Sequence, residues 1–349
     1  MKSTVNSFED EFGSIDELEE ALSRPAPELV EMMHSMEGDF LFLGVSGKMG
    51  ISMACMAKRA CEQAGVNKRI LGVSRFSDTA NQNYLEAHGI ETMAGDLLDQ
   101  ELLNKLPDFS NVIYLAGIKF GTQGNEAFTW VMNAYLPGLV AERFKSSRIV
   151  ALSTGCVYPL VDVGSRGSLE TDKPGPVGEY AQSCLGRERL FESGSKTHGT
   201  SVALIRLNYS VEMRYGVLVD IASKVDNAEP VDVSMGHANV IWQGDANNAI
   251  LQSFQFCSSP AKHINITGPE TVSIRDLANR FGEILNKKAI IVGEEQNTAL
   301  LSDASWMFKE LGHPSIQLEQ VIEWTGKWIR SGRSIFGKPT HFEVRDGKY

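Results

Sequence analysis

A glycine-rich turn between a predicted strand and a predicted helix constrains this chain more than any other feature of its sequence. The segment Gly44-Val45-Ser46-Gly47-Lys48-Met49-Gly50 follows the apolar run 39–43 and precedes a helical run over 51–64. Glycines there allow a tight turn, a close approach of the backbone to a pyrophosphate and close packing of the helix on the sheet. The helix N-terminus adds amide donors and a favourable dipole. The turn therefore predicts a dinucleotide site with contacts from Gly44, Ser46, Gly47, Lys48, Met49 and Gly50.

Short apolar runs alternate with helical stretches after this turn, which is typical of a parallel sheet. The predicted strands of a buried sheet are Asp39 to Val45, Arg69 to Val73, Asn111 to Leu115, Ile149 to Leu152 and Val202 to Leu207. Beyond Asn208 the alternation weakens, and helices are predicted over 274–285, with Ser273 as the N-cap, and around 318–329. The predicted fold class is α/β, a Rossmann-like doubly wound parallel sheet with a smaller C-terminal α+β substrate lobe.

The first 37 residues carry an acidic amphipathic pattern that ends at Pro25 and Pro27. Its apolar positions, at near-helical spacing, are Phe8, Phe12, Ile15, Leu18 and Leu22. This spacing predicts a helical extension that packs on the main domain or on a second subunit. The predicted domains are thus the extension at 1–37, a Rossmann domain at 38–207 with contributions from 235–268, and a mainly substrate-binding lobe at 208–349.

Composition narrows the classes of partner. The 349 residues carry a formal net charge of −11, which repels nucleic acid and anionic membranes, and no basic run compensates for it. No apolar stretch approaches the ~20 residues of a membrane span, and the acidic N-terminus does not resemble a signal peptide, so a cytoplasmic location is expected. The five scattered cysteines lack the spacing of zinc ligands or of a disulfide scaffold, so inert thiols and no metal are expected.

The end of the second predicted strand bears on the choice of cofactor. A cofactor without a 2′-phosphate usually meets an acidic residue there, which accepts from the ribose hydroxyls. Here the residues are Ser74 and Arg75, and the guanidinium could pair with a 2′-phosphate. NADP is therefore favoured over NAD, which stays the alternative.

Taken together, these motifs resemble those of the extended short-chain dehydrogenases, the NAD(P)-dependent epimerase/dehydratase family, over most of residues 39–330. The glycines match its G-x-x-G-x-x-G, and the segments around 153–158, 206–208 and 240–245 resemble its later signposts. The resemblance implies further cofactor contacts from Asp96, Leu97, Leu115, Ala116, Gly117, Asn133 and Tyr180.

The resemblance also implies that Tyr180 is the catalytic tyrosine and Thr154 the catalytic hydroxyl. Removing a hydride from an alcohol carbon requires its hydroxyl proton to leave, and a tyrosinate is a suitable base if its pKa is lowered. The neighbouring hydroxyl orients the substrate oxygen. The family pattern Tyr-x-x-x-Lys is broken, however, because Cys184 stands at the lysine position. Lys119, or Arg187 on the same helix face as Tyr180, is the predicted replacement.

Candidate substrate-binding residues are Lys119, Cys156, Asn208, Arg214, His237 and Trp242, which suit a polyhydroxylated ligand. The predicted function is an NAD(P)-dependent oxidoreductase or epimerase acting on a secondary alcohol of a sugar, sugar acid or nucleotide sugar. The alternative is a catalytically silent cofactor-binding sensor or scaffold, in which loss of the lysine reflects loss of catalysis. A homodimer through paired helices is an assembly that the resemblance allows.

Overall fold

The structure is a computed structural model that describes residues 12–119, 121 and 124–348. Phe8 lies outside these residues. The helices are α1 (Ile15–Leu22), α2 (Pro27–Ser35), α3 (Gly50–Gln63), α4 (Thr79–Ala87), α5 (Gln100–Lys105), α6 (Glu126–Trp130), α7 (Leu136–Arg143), α8 (Gly178–His198), α9 (Val217–Asp226), α10 (Gln243–Gln252), α11 (Ile274–Leu285), α12 (Ser305–Leu311) and α13 (Leu318–Arg330). A π-helical turn, Val131–Tyr135, joins α6 to α7.

One seven-stranded sheet organises the molecule. Its strands are β1 (Phe40–Leu43), β2 (Ile70–Ser74), β3 (Glu91–Ala94), β4 (Asn111–Tyr114), β5 (Arg148–Thr154), β6 (Val202–Leu207) and β7 (Lys262–Ile266), and their order in the sheet is β7-β6-β5-β4-β1-β2-β3. Every neighbouring pair is parallel. This order is that of a doubly wound Rossmann sheet, so the predicted fold class is confirmed.

Two of these strands lie outside the predicted runs. The edge strand β3 has no fully buried position, because only one neighbour pairs with it, so it lacks the apolar run that marks the inner strands. Strand β7 comes from the later part of the chain, where the alternation is weak, and returns to pair with β6. Short two-stranded pairs complete the lobe: 161–162 with 298–299, 210–211 with 241–242, 230–232 with 290–292, and 237–238 with 272–273.

Buried apolar residues form a layer on each face of the sheet and a further core in the lobe. The lobe core includes α11, which begins where predicted: the Ser273 side chain accepts a hydrogen bond from Asp276 N, and Asn286 ends the helix in the left-handed conformation. Among the described residues, no helix is both long and apolar enough to cross a membrane. The proposed domain boundary at 207–208 stays a prediction.

The N-terminal pattern forms two helices instead of one, separated around Pro25. Leu18 and Leu22 of α1 pack in the lobe core together with Phe12, whereas α2 packs on the sheet layer through Leu29 and Met33. Within the chain, this segment therefore bridges the two parts of the molecule.

Residues 333–348, here called the C-terminal strap, run back across the molecule to the start of α8. Phe342 is buried in the lobe core, and Arg345 donates hydrogen bonds to Ser234 O and to Thr298 O. At the far end, the backbones of Gly178 and Gly347 pass so closely that a Cβ on either would collide with the other segment. Both glycines also have positive φ, at 81° and 74°, which other residues rarely adopt.

Candidate active site

The glycine loop connects β1 to α3 and forms a cradle. Gly44 has φ 88°, and a Cβ there would lie 2.8 Å from Ala116 N in the loop after β4. A Cβ at Gly50 would collide with the Val45 carbonyl, whereas one at Gly47 would meet only the Gly44 carbonyl oxygen, 3.4 Å away. The first and third glycines therefore allow close packing, and the second leaves space in front of the N-terminus of α3. This shape and the exposed helix amides fit a pyrophosphate.

The other predicted cofactor residues lie at the same carboxyl edge of the sheet. Ser74, at the end of β2, shares a hydrogen bond with Ser46 of the glycine loop, and Arg75 beside it is exposed. After β3, Asp96 is exposed and accepts from Leu98 N, while Leu97 is buried. Ser74 pairs with Ala94 at the ends of β2 and β3, so Arg75 and Asp96 follow neighbouring strand ends at this edge.

The loop after β4 is fixed by Asn133 of the π-helical turn. The Asn133 side-chain amide accepts a hydrogen bond from Ile118 N at 2.8 Å and donates one to Ile118 O at 2.8 Å. It therefore satisfies both backbone groups of Ile118, as a neighbouring strand would. The side chain is fully buried. Leu115, Ala116 and Gly117 are held by this clamp directly opposite the glycine loop.

Thr154 and Tyr180 are brought together as predicted. Thr154 ends β5, where its hydroxyl accepts from Cys156 N at 3.1 Å, and its side chain is hydrogen-bonded to that of Tyr180 in the first turn of α8. Cys184, one turn further, is buried and hydrogen-bonded to the Tyr180 side chain. The three side chains form one hydrogen-bonded group at the end of the sheet.

Burial raises the pKa of Tyr180 well above its ordinary value, and the thiols of Cys184 and Cys156 act in the same direction. Arg187 and the hydrogen bond with Thr154 oppose this shift. Burial likewise raises the pKa of Cys184 to about 11. Both groups are therefore protonated at neutral pH, and the thiol cannot supply the positive charge that a lysine would bring.

Arg187 supplies a fixed cation behind this group. Its guanidinium donates to Leu152 O at 2.7 Å and to Asn133 Oδ1 at 2.9 Å, and its Nε is buried without a hydrogen-bond partner. A Cβ on Gly117 would collide with it. Arg187 thus reaches from α8 past the end of β5 to the clamped loop after β4.

A cavity of about 390 Å³ opens between the glycine loop, the Thr154–Tyr180 group and the lobe. Lys48 and Lys119 line it, and the carbonyl of Thr340 in the C-terminal strap accepts from Lys119 Nζ at 3.1 Å. Lys48 lies 3.3 Å from the centre of the Tyr215 ring. The remaining lining residues are Gly47, Met49, Gly50, Leu115, Gly117, Leu152, Ser153, Thr154, Cys156, Tyr180, Leu207, Asn208, Tyr209, Ser210, Tyr215, Gly216 and Gln243.

Of the predicted substrate residues, Lys119, Cys156 and Asn208 line this cavity, and three others do not. Arg214 is buried in ion pairs with Glu212 and Glu19. Trp242 packs against Phe12 and lines a separate groove, and His237 lies in the short strand pair with 272–273. A substrate role for these three stays a prediction that the cavity does not support.

A carboxylate and histidine cluster lies beside the sheet, and none of its members lines this cavity. Glu188, Glu192 and His263 present ligand atoms within 4.8 Å of one another. However, Glu188 accepts from both Arg206 and Ser153 and is fully buried with Arg206. The guanidinium already supplies the cation that this cluster needs.

The sequence interpretation did not include Thr340, Tyr209 or Gln243 in the site. Thr340 comes from the strap, far along the chain, and no local pattern marks a segment that returns to a distant site. Tyr209 lies two residues after the end of the predicted strand β6 and has φ 42°, so its position after a strand was the available signal.

Comparison with known proteins agrees with this geometry. Residues 41–211 match the model of the NAD dependent epimerase/dehydratase family. No curated protein sequence gives a significant match.

Solved structures show the same fold at low sequence identity. A dTDP-glucose 4,6-dehydratase from Streptomyces venezuelae, solved with NAD bound, has a TM-score of 0.72 and 16% identity, covering 84% of this chain and 97% of its own. A UDP-glucuronic acid 4-epimerase from Bacillus cereus, solved with UDP-glucuronic acid and NAD, has a TM-score of 0.69 and 18% identity, covering 84% and 99%. Pal from Bacillus thuringiensis has a TM-score of 0.69 and 18% identity, covering 84% and 100%.

The matched segment begins in β1 and ends at Val211, so it contains the glycine loop, Thr154 and Tyr180. Through this segment, the chain is similar to the NAD dependent epimerase/dehydratase family.

Proposed function

We propose that this protein is an NAD(P)-dependent oxidoreductase or epimerase that acts on a secondary alcohol of a carbohydrate. The observation that carries the proposal is the hydrogen bond between the Thr154 and Tyr180 side chains in a cavity that the glycine loop also lines. Held this way, the threonine hydroxyl can orient a substrate hydroxyl against the phenol. When bound, the dinucleotide supplies a nicotinamide that accepts and returns hydride.

Within this mechanism, Tyr180 takes the proton of the substrate hydroxyl during oxidation and returns it during reduction. Since burial raises the pKa of Tyr180, the phenol is ready to act as an acid, and its action as a base needs a nearby cation. Arg187 supplies that charge from the sheet side. Because its guanidinium is held by Leu152 O and Asn133, it acts as a positioning residue that does not touch the substrate.

The experiment is a single-turnover assay of cofactor reduction with a panel of sugars, sugar acids and nucleotide sugars. A substrate should reduce bound cofactor in the wild type, and Tyr180→Phe should lower the rate by about 10²-fold or more while cofactor binding is kept. Tyr84→Phe, at a tyrosine of α4 that does not line the cavity, is the matched control and should react normally. An equal rate in Tyr180→Phe would refute the assignment.

A second candidate function is a cofactor-binding sensor without turnover. The buried thiol of Cys184 at the family's lysine position, next to a phenol with a raised pKa, favours it. Cofactor binding without reduction by any member of the panel would support this candidate over the first.

We further propose a preference for NADP. The support is the serine pair at the end of β2, which offers no carboxylate to the ribose, together with the exposed Arg75. Dissociation constants for NADPH and NADH should differ in favour of NADPH, and Arg75→Met should abolish the difference. Tighter binding of NADH would contradict the preference.

We also propose that the protein forms a homodimer through α6, α7 and α8. Large apolar side chains on α6, on the turn between α6 and α7 and on α8 are exposed: Phe128, Trp130, Tyr135 and Leu190. A second copy of this surface would cover them.

A further inference from the structure

The charge of the catalytic cavity constrains the substrate beyond the class proposed above. Lys48 from the glycine loop and Lys119 from the loop after β4 both line it, and they lie close enough for the charge of Lys119 to act on Lys48. Among the described residues that line it, these lysines are the charged ones, and none is a carboxylate. Such a lining favours an anionic ligand.

The carboxylates that act electrostatically on Lys48 are Asp220 and Glu212, and both are bonded to other groups. Asp220 of α9 accepts from both Thr340 N at 2.7 Å and the Thr340 hydroxyl at 2.5 Å. Glu212 is paired with Arg214. These acids influence Lys48 from behind the lining but do not form part of it.

The two lysines also influence each other. Burial, with the like charges of Lys119 and Lys338, lowers the pKa of Lys48 to about 7, and burial lowers the pKa of Lys119 as well. An anion that contacts both ammonium groups would offset this repulsion and restore their charge.

The volume limits the size of the anion. About 390 Å³ is near the lower end of the ~300–1,000 Å³ range of small-molecule sites, and the glycine loop lines part of it. Thr340 of the C-terminal strap closes the side toward α9. The remaining space suits a single sugar ring better than a sugar that carries a nucleotide.

Resting on the proposed function, we propose that the substrate is a free sugar acid, whose carboxylate is bound by Lys48 and Lys119 beneath the C-terminal strap. The carboxylate accepts hydrogen bonds from the two ammonium groups, while a secondary hydroxyl of the same ring faces Thr154 and Tyr180.

Isothermal titration of the full chain with saturating cofactor tests this with D-glucuronate and D-glucose, which differ in the carboxylate. The wild type should bind glucuronate about tenfold more tightly than glucose or better. Lys48→Met and Lys119→Met should each lose this preference, and the charge-retaining Lys48→Arg and Lys119→Arg should keep most of it. Lys105→Met, at an exposed lysine on α5, is the control and should behave like the wild type.

Three results would overturn the proposal: no saturable binding of glucuronate, no preference over glucose, or tighter binding of UDP-glucuronate than of glucuronate. A Lys48→Met variant that loses cofactor affinity but keeps the preference would also overturn it, because the lysine would then serve the cofactor phosphates. The proposed function fails in a different way, through absence of hydride transfer while the preference for glucuronate persists.

Discussion

Cys184 replaces the cation of the family pattern with a neutral buried thiol, and the charge beside Tyr180 comes from Arg187, further along the same helix. The position of Arg187 near Tyr180 could be predicted from the sequence, because seven residues nearly complete two helical turns and place both side chains on one face; its role in place of the lysine, with Lys119 as the alternative, stays a prediction. The hydrogen bonds that hold the guanidinium to Leu152 O and Asn133 could not be predicted, since those partners come from other elements.

Removing this charge should raise the pKa of Tyr180 further. Arg187 favours the phenolate, so in Arg187→Met the pH at which Tyr180 ionises should rise. Ultraviolet difference titration, subtracting Tyr180→Phe in each background, measures this ionisation without a substrate. Cofactor reduction by the substrate should shift to higher pH by the same amount, because the base form is needed for oxidation.

Arg189→Met is the matched control for this titration. Arg189 lies on the face of α8 opposite Tyr180, where it is exposed and pairs with Glu192. Its removal should therefore leave the Tyr180 titration unchanged. Arg187→Lys keeps the charge, so if this variant folds, Tyr180 should ionise at a pH close to that in the wild type. A Tyr180 titration that is the same in Arg187→Met and in the wild type would exclude an electrostatic role for Arg187.

For Trp242 and Lys48, the local sequence pattern does not predict which residues the side chain contacts. Trp242 has the aromatic character of a sugar-binding residue, yet it packs on Phe12 and Trp324 in the lobe core. A tryptophan buried in a core and a tryptophan that stacks on a sugar cannot be distinguished from the sequence alone. Lys48 could be predicted to lie at the glycine loop, but its contact with Tyr215 depends on how the lobe folds over the sheet.

At the scale of elements, apolar runs identified the inner strands of the sheet because these strands are buried on both faces. The edge strand β3 did not follow that rule, and β7, which lies in the segment 235–268 that the sequence assigns to the Rossmann domain, was not marked as a strand by an apolar run. The C-terminal strap has no regular secondary structure, so no periodicity could predict its path. Its position is set by long-range contacts such as that of Thr340 with Asp220.

The bond between Thr340 and Asp220 should hold the strap over the cavity. In Thr340→Val the hydroxyl donor is lost while the backbone donor stays, which should cost about 1.5 kcal/mol locally. Hydrogen exchange of the amides at 338–344 should then accelerate about tenfold. Thr79→Val, at an exposed threonine of α4, controls for the general effect of the substitution.

Unchanged exchange at 338–344 in Thr340→Val would mean that the remaining contacts hold the strap without the Thr340 hydroxyl, namely the Thr340 backbone bonds and the contacts of Phe342 and Arg345. Faster exchange throughout the sheet would point to global destabilisation instead. Comparison with the amides of β5 separates the two results.

At the scale of the whole molecule, the proposed dimer makes a prediction about mass. Light scattering should give twice the chain mass of 38.3 kDa. Leu190→Glu, which places a charge in the exposed apolar surface of α8, should give the monomer. Ile335→Glu, at an equally exposed apolar residue of the strap, should stay dimeric, and a wild-type monomer would refute the proposal.

The crossing of Gly178 and Gly347 links the end of the chain to the turn that precedes Tyr180. Since neither position has room for a methyl group, the two glycines should be exchanged together in evolution. A homologous chain with a side chain at the position of Gly178 cannot have its C-terminal strap on this path, so its cavity should be more open. The glycine pair therefore distinguishes related sequences in which the strap lies over the cavity from those in which it does not.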